Sequence, residues 1–118
     1  MTEIYAVIRP GKDRETKQAL SKLGCMAMTS VRVLGRGRQR GLRYSVATQT
    51  EIPQFVIMKY LPKKMIYIVV SDRLVKTVVQ ALIRINQTGQ HGDGKIFVSK
   101  VLESTRIRTG ESGEDTLQ

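Results

Sequence analysis

Near the start of the chain Ile4, Ala6 and Ile8 alternate with Tyr5 and Val7, the period-2 pattern of a strand that is apolar on both faces. Pro10-Gly11 stops it. Asp13 is placed to cap a helix whose apolar stripe, Ala19, Leu20 and Leu23, ends at Gly24, a residue suited to helix C-caps. Met28 to Leu34 returns to strand character, with Val31 and Val33 on one side. From Gly35 to about Gln54 the periodicity dissolves into glycines, arginines and hydroxyl-bearing residues, which predicts a long polar loop. Order returns over Val56 to Val70, interrupted at Pro62-Lys63-Lys64 before the fully apolar strand Met65 to Val70. Ser71-Asp72 predicts the cap of a long helix carrying Leu74, Val75, Val78, Val79, Leu82 and Ile83 at helical spacing, closed by Gly89. Lys95 to Val101 reads as the fourth strand and Thr105 to Arg108 as a short extended piece. Residues 111–118 are expected to form a mobile tail.

This order predicts an α+β fold, the ferredoxin-like βαββαβ arrangement, with a long loop between strands 2 and 3 and both helices on one face of an antiparallel sheet. The other face would expose apolar side chains, with Val7, Tyr67 and Val69 as candidates. Self-association is therefore expected. A length of 118 residues suits a single domain, 1–118.

The net charge of +10 requires anionic partners: nucleic acid, an acidic protein face or nucleotide phosphates. Arg32, Arg36, Arg38, Arg40 and Arg43 fall in a stretch with no acidic residue, whereas Glu111, Glu114 and Asp115 reverse the sign near the end. Aromatic residues make up only 5%, which counts against a basic nucleic-acid module that stacks bases. No run approaches the roughly 18 apolar residues of a membrane span, so no membrane insertion is expected. The lone Cys25 forms no intrachain disulfide, and a reducing cytoplasm is the expected setting.

The densest chemistry lies in Thr88-Gly-Gln-His-Gly-Asp-Gly-Lys95 and Arg106-Ile-Arg108. Glycines allow positive φ and close approach to backbone amides, successive amides make a concave anion site, and a lysine adds a mobile charge. Two arginines at i and i+2 of an extended segment would point the same way. Polyphosphate recognition fits this combination. His91 has no identifiable base or orienting partner, and Ser99, Ser104 and Thr109 have no histidine context. A non-catalytic protein is expected, with a small phosphotransferase as the rival. Asp93, between two glycines, suits an Asx-turn acceptor as well as a metal ligand. In the basic loop, Arg38 suits two-point phosphate clamping and the Gln39 oxygen suits Mg²⁺.

Thr88-Gly89 followed by Gly92-Asp-Gly-Lys-Ile-Phe-Val98, Arg106-Ile-Arg-Thr-Gly-Glu111, Gly35-x-Gly37-Arg38-Gln39 and Leu61-Pro62-Lys63 resemble the motifs of the PII signal-transduction proteins, in order and over most of the chain. The resemblance implies a homotrimer binding ATP or ADP between subunits. It implies adenine contacts from Met28, Thr29 and Val69, and Gly35, Gly37 and Arg38 along the nucleotide. Gly92, Asp93, Gly94 and Lys95 would cradle the phosphates, with Arg106 and Arg108 reaching across the interface. It further implies that Gln39 ligates Mg²⁺ shared with the ATP phosphates and 2-oxoglutarate, and that Arg40, Gly41, Lys63 and Arg9 surround the 2-oxoglutarate. Residues 35–60 would be the effector loop that docks on targets. The tyrosine-bearing loop motif of the common branch is absent. Together with the longer loop, this is similar to the nitrogenase-regulating branch, in which paired sister proteins inhibit the dinitrogenase component. The classical regulator of an ammonium transporter or a glutamine-synthetase-modifying enzyme is the alternative.

Overall fold

The structure is a computed structural model that describes residues 1–38, 42–46 and 54–118, with backbone only for 42–46 and 54–58. Its elements are β1 (Thr2–Ile8), α1 (Asp13–Lys22), β2 (Thr29–Gly35), β3 (Leu42–Val46), β4 (Gln54–Met58), β5 (Leu61–Val70), α2 (Val75–Asn86) and β6 (Lys95–Lys100). A four-stranded antiparallel sheet has the order β2-β5-β1-β6, and β3 pairs with β4 in a separate two-stranded sheet. This is the ferredoxin-like fold with a hairpin inserted between its second and third strands.

Alternation along β1 and β5 sorts the side chains as the pleat requires. Ile4, Ala6, Ile8, Ile66, Ile68 and Val70 are buried toward the helices, where Leu20 of α1 and Val78 and Leu82 of α2 meet them. Burial of each large side chain contributes roughly 1.5–3 kcal/mol. The helices are also joined by a buried polar link. Asn86 Nδ2 donates to Thr16 Oγ1 at 3.1 Å, and that hydroxyl donates to the Lys12 carbonyl at 2.7 Å. The opposite face pairs Tyr5 with Tyr67 and Phe97, and Val7 with Met65. The Tyr5 and Tyr67 rings lie 4.7 Å apart, so Val7, Tyr67 and Val69 do stand on the face that the helices leave bare.

Several boundaries differ from expectation. The long polar loop contains the β3–β4 hairpin: Leu42, Tyr44 and Val46 alternate with Arg43 and Ser45, and this short strand pairs with Gln54–Met58. β5 starts at Leu61, before Pro62-Lys63-Lys64. β1 ends opposite Lys64, so beyond it β5 pairs only with β2 and has one open edge, which a proline tolerates. A 3₁₀ turn at Pro10–Lys12 precedes α1, which places Asp13 inside the helix, where it pairs with Lys17 at 2.9 Å. Another 3₁₀ turn, Asp72–Leu74, precedes α2 and Ser71 makes no side-chain cap. Asp72 instead accepts from Thr2 Oγ1 at 2.6 Å and from Lys100 at 2.7 Å. α2 stops at Asn86, three residues before Gly89. Gly24 does close α1, at φ +88°, with the Cys25 amide returning to the Leu20 carbonyl at 3.0 Å.

The segment 105–118 is the largest departure. Instead of an extended piece followed by a loose tail, Thr105 bridges Ser112 across a turn, and Glu114–Leu117 forms a 3₁₀ helix. Gly110, at φ +75°, donates its amide to the Arg106 carbonyl at 2.8 Å. Arg106 and Arg108 therefore do not share one side of a strand.

Candidate functional site

The turn between α2 and β6 is built around Asp93. Its carboxylate accepts from the Thr88 amide at 2.7 Å, the Gly89 amide at 3.0 Å, the Thr88 hydroxyl, and Arg9 Nη1 at 2.6 Å. These donors, the Thr88 hydroxyl foremost, hold its carboxyl well below the usual carboxylate range. Arg9 Nη2 donates onward to the His91 carbonyl at 2.9 Å, and Lys63 Nζ donates to the Gly92 carbonyl. Burial, and then the neighbouring Arg9 guanidinium, push the Lys63 ammonium below its ordinary value, while Asp93 opposes them. Two cations from the ends of β1 and β5 thus pin the glycine turn from the sheet side.

The glycines are there for space. Gly94 stands at φ +113°, and a Cβ on it would fall 1.8 Å from the Val7 carbonyl oxygen. Gly92, at φ +95°, would bring a Cβ within 3.2 Å of Arg9 Nη2. Only glycine lets the turn approach both.

In front of the turn opens a cleft of about 310 Å³, where Gly92, Gly94 and Lys95 face Gly35, Arg36, Gly37 and Leu61 across Val7, Lys63 and Phe97. Main chain without Cβ atoms on two sides, with cationic side chains between them, is suited to a phosphate-bearing ligand. No carboxylate among the described residues pairs with Lys95. Arg36 stacks 5.6 Å from the Tyr60 ring centre beside the root of the hairpin.

The expected site residues therefore divide. Gly35, Gly37, Gly92, Gly94, Lys95 and Lys63 share the cleft. Asp93 lies behind it, turned toward Arg9 and Thr88, and acts as the fastener of the turn. Arg9 is engaged in the same fastening. Met28 packs against the core edge, Thr29 pairs with Tyr67 across the bare face, and Val69 lines a second cavity with Met26, Arg73 and the tail. Arg106 and Arg108 sit on the tail hairpin. Arg38 is described and exposed at the start of the inserted segment. Gln39, Arg40 and Gly41, the expected Mg²⁺ and 2-oxoglutarate residues, lie outside the described residues. Two partners were missed from sequence. Thr88 left no signal, because an Asx turn reaches two residues forward whereas Asp93 bonds back to the Thr88 and Gly89 amides, and Glu111, which grips Arg106 at 2.6 Å, stands in a segment read as loose. Among the described residues no His, Cys, Asp and Glu side chains group to hold a metal ion, and no helix is long and apolar enough to cross a membrane.

Comparison with known proteins accords with this geometry. The family model described as nitrogen regulatory protein P-II matches residues 1–111. A protein of Methanothermobacter thermautotrophicus named nitrogen regulatory protein P-II 2 is 49% identical, with 97% of this chain and 95% of the relative covered. The nitrogen fixation nifHD1 region GlnB-like protein 2 of Methanosarcina barkeri is 46% identical over the full length of both. The nitrogen regulatory protein P-II of Bradyrhizobium diazoefficiens is 44% identical, covering 99% of this chain and all of the relative.

Proposed function

The chain belongs to the P-II family of nitrogen regulatory proteins, and from that premise we propose that it is a non-catalytic sensor of ATP or ADP and 2-oxoglutarate that inhibits nitrogenase when nitrogen is plentiful. The observation that carries the reading is the cleft itself. Its one wall is the glycine turn, and its other wall, Gly35 to Gly37, is the root of the inserted segment. An anion held between them touches both, so a ligand with different affinity for two arrangements of the segment shifts their populations. Lys95 supplies charge at the mouth, and Gly92 and Gly94 leave main chain uncovered. Arg9 keeps the turn in shape from behind, and Lys63, within the cleft, holds the Gly92 carbonyl. Mg²⁺, when bound, would neutralise phosphate charge. Gln39 is the residue proposed for it.

The cleft gathers only part of the proposed nucleotide set. This supports an assembly in which a neighbouring copy completes the site, and we take that assembly to be a homotrimer, paired in function with a sister chain. The nitrogenase target, through the dinitrogenase component, is supported by the nifHD-region relatives. Isothermal titration checks the sensor: ATP should bind alone, and 2-oxoglutarate only with Mg-ATP present. Binding of 2-oxoglutarate without nucleotide would sink the shared-metal arrangement. A pull-down from nitrogen-fixing cells should retain the dinitrogenase component and lose it on adding 2-oxoglutarate. Retention of an ammonium transporter instead would favour the other branch.

A further inference from the structure

We propose that the segment 111–118 is an internal competitor for the nucleotide, holding the Arg106 guanidinium until a polyphosphate displaces it. This rests on the nucleotide-binding reading above and says how that site is gated.

Both terminal nitrogens of Arg106 are already committed. Nη1 donates to Glu111 Oε2 at 2.6 Å, and Nη2 donates to the main-chain oxygens of Asp115 and Gln118, each at 3.0 Å. A two-point clamp on phosphate oxygens needs those nitrogens presented together to the ligand. Here the tail takes the place of the anion, the Glu111 carboxylate and two main-chain oxygens standing where phosphate oxygens would. Arg108, on the same turn, is exposed and pairs with no carboxylate among the described residues.

The grip is a folded unit, not one chance contact. The Arg106 amide donates to the Glu111 carbonyl at 2.8 Å, the Gly113 amide to the Ser104 carbonyl at 2.9 Å, and Thr116 Oγ1 to Ser104 Oγ at 2.8 Å. The same tail, through Asp115, Leu117 and Gln118, walls a cavity of about 310 Å³ that holds Val69, another residue of the proposed nucleotide set. An acidic tail on a chain of net charge +10 is drawn to the cations that an anionic ligand must use. The side chains of Arg106 and Glu111 are 28% and 50% exposed, so water screens the pair. The competition is therefore soft: it sets an affinity threshold that a highly charged polyphosphate overcomes, and it frees the tail when the nucleotide arrives.

The test compares the full chain with Glu111→Gln and with a chain ended after Gly110, by titration of Mg-ATP and by hydrogen exchange of the tail amides. Both variants should bind Mg-ATP roughly two- to fivefold more tightly, the range set by a screened ion pair. In the unaltered chain, Mg-ATP should speed exchange at the Gly113 and Thr116 amides. If the unaltered chain binds Mg-ATP, but both variants bind it no more tightly or the tail amides stay protected, the tail is not a competitor and the nucleotide reading survives. If no form binds Mg-ATP, the nucleotide reading itself fails and takes this inference with it.

Discussion

Asp93 shows how one side chain decides whether the cleft has a back wall. Four donors converge on it from Thr88, Gly89 and Arg9, and they favour its charged form. Its folded pKa is depressed below the unfolded value near 3.9, so the stability it contributes is complete above about pH 4. That contribution is lost as pH falls through the folded value. Comparing thermal unfolding of the unaltered chain with Asp93→Asn should show the variant clearly less stable at pH 7, and the gap should narrow steadily below about pH 4. A gap that stays constant down to pH 3 would mean that the carboxylate charge is not what holds the turn. The residue's neighbours in sequence, two glycines, suggested an Asx turn, which bonds two residues forward; the carboxylate instead bonds back to Thr88 and Gly89. Its partner Arg9 lies 84 positions away and left no local trace, because an ion pair between the end of β1 and a turn before β6 exists only once the sheet has formed.

At the scale of elements, what could be read from sequence was what repeats. The alternation Ile4-Ala6-Ile8 and the helical stripe Val75-Val78-Val79-Leu82 put the core in its place. The reading failed where the surroundings masked the signal: flanking glycines and arginines hid the short alternation Leu42-Tyr44-Val46 of β3, Pro62 hid the start of pairing in β5, and the turn at Gly110 folded what looked like a strand. Most of the fold was legible because burial is periodic, and half the cleft was legible because glycine turns are local. The link between α1 and α2 had no signature at all. Thr16 and Asn86 are polar residues in helices, yet each is nearly inaccessible, at 0% and 5%. Thr16→Val removes both the donor to Lys12 and the acceptor for Asn86 with little change of volume, and should cost about 1–3 kcal/mol by leaving buried polar atoms unsatisfied. Urea unfolding measures this. A cycle with Asn86→Ala should return less than the sum of the two single losses, because both act on one bond. Additive losses would show that the helices are held by apolar packing alone.

For the molecule as a whole, the unbalanced face of the sheet is the feature that most needs an answer. The radius of gyration is 18.3 Å, against about 13–14 Å for a compact chain of this length, in keeping with a hairpin that pairs only with itself. The four-stranded sheet, meanwhile, has helices on one side only. On the other side Tyr5, Val7, Met65, Tyr67 and Phe97 form a continuous apolar patch, in which Phe97 is 53% exposed in the single chain. The patch is not wholly apolar. Glu3 accepts from Tyr67 Oη at 3.2 Å and from Ser99 Oγ, which ties down one end of it with satisfied polar groups. An apolar centre with a hydrogen-bonded rim is the make-up of an interface. Covering the remaining exposed half of Phe97 would contribute on the order of 1 kcal/mol per chain, whereas a buried carboxylate in its place would oppose closure far more strongly. Phe97→Glu should therefore leave the helical and strand signals of circular dichroism unchanged while converting the proposed trimer into single chains in a sedimentation experiment. Nucleotide affinity should fall with it, both because Phe97 lines the cleft and because a site shared between copies is lost when the copies part. A Phe97→Glu chain that remains trimeric would assign the contact to another surface, and one that separates yet binds ATP undiminished would place the whole nucleotide site within one chain.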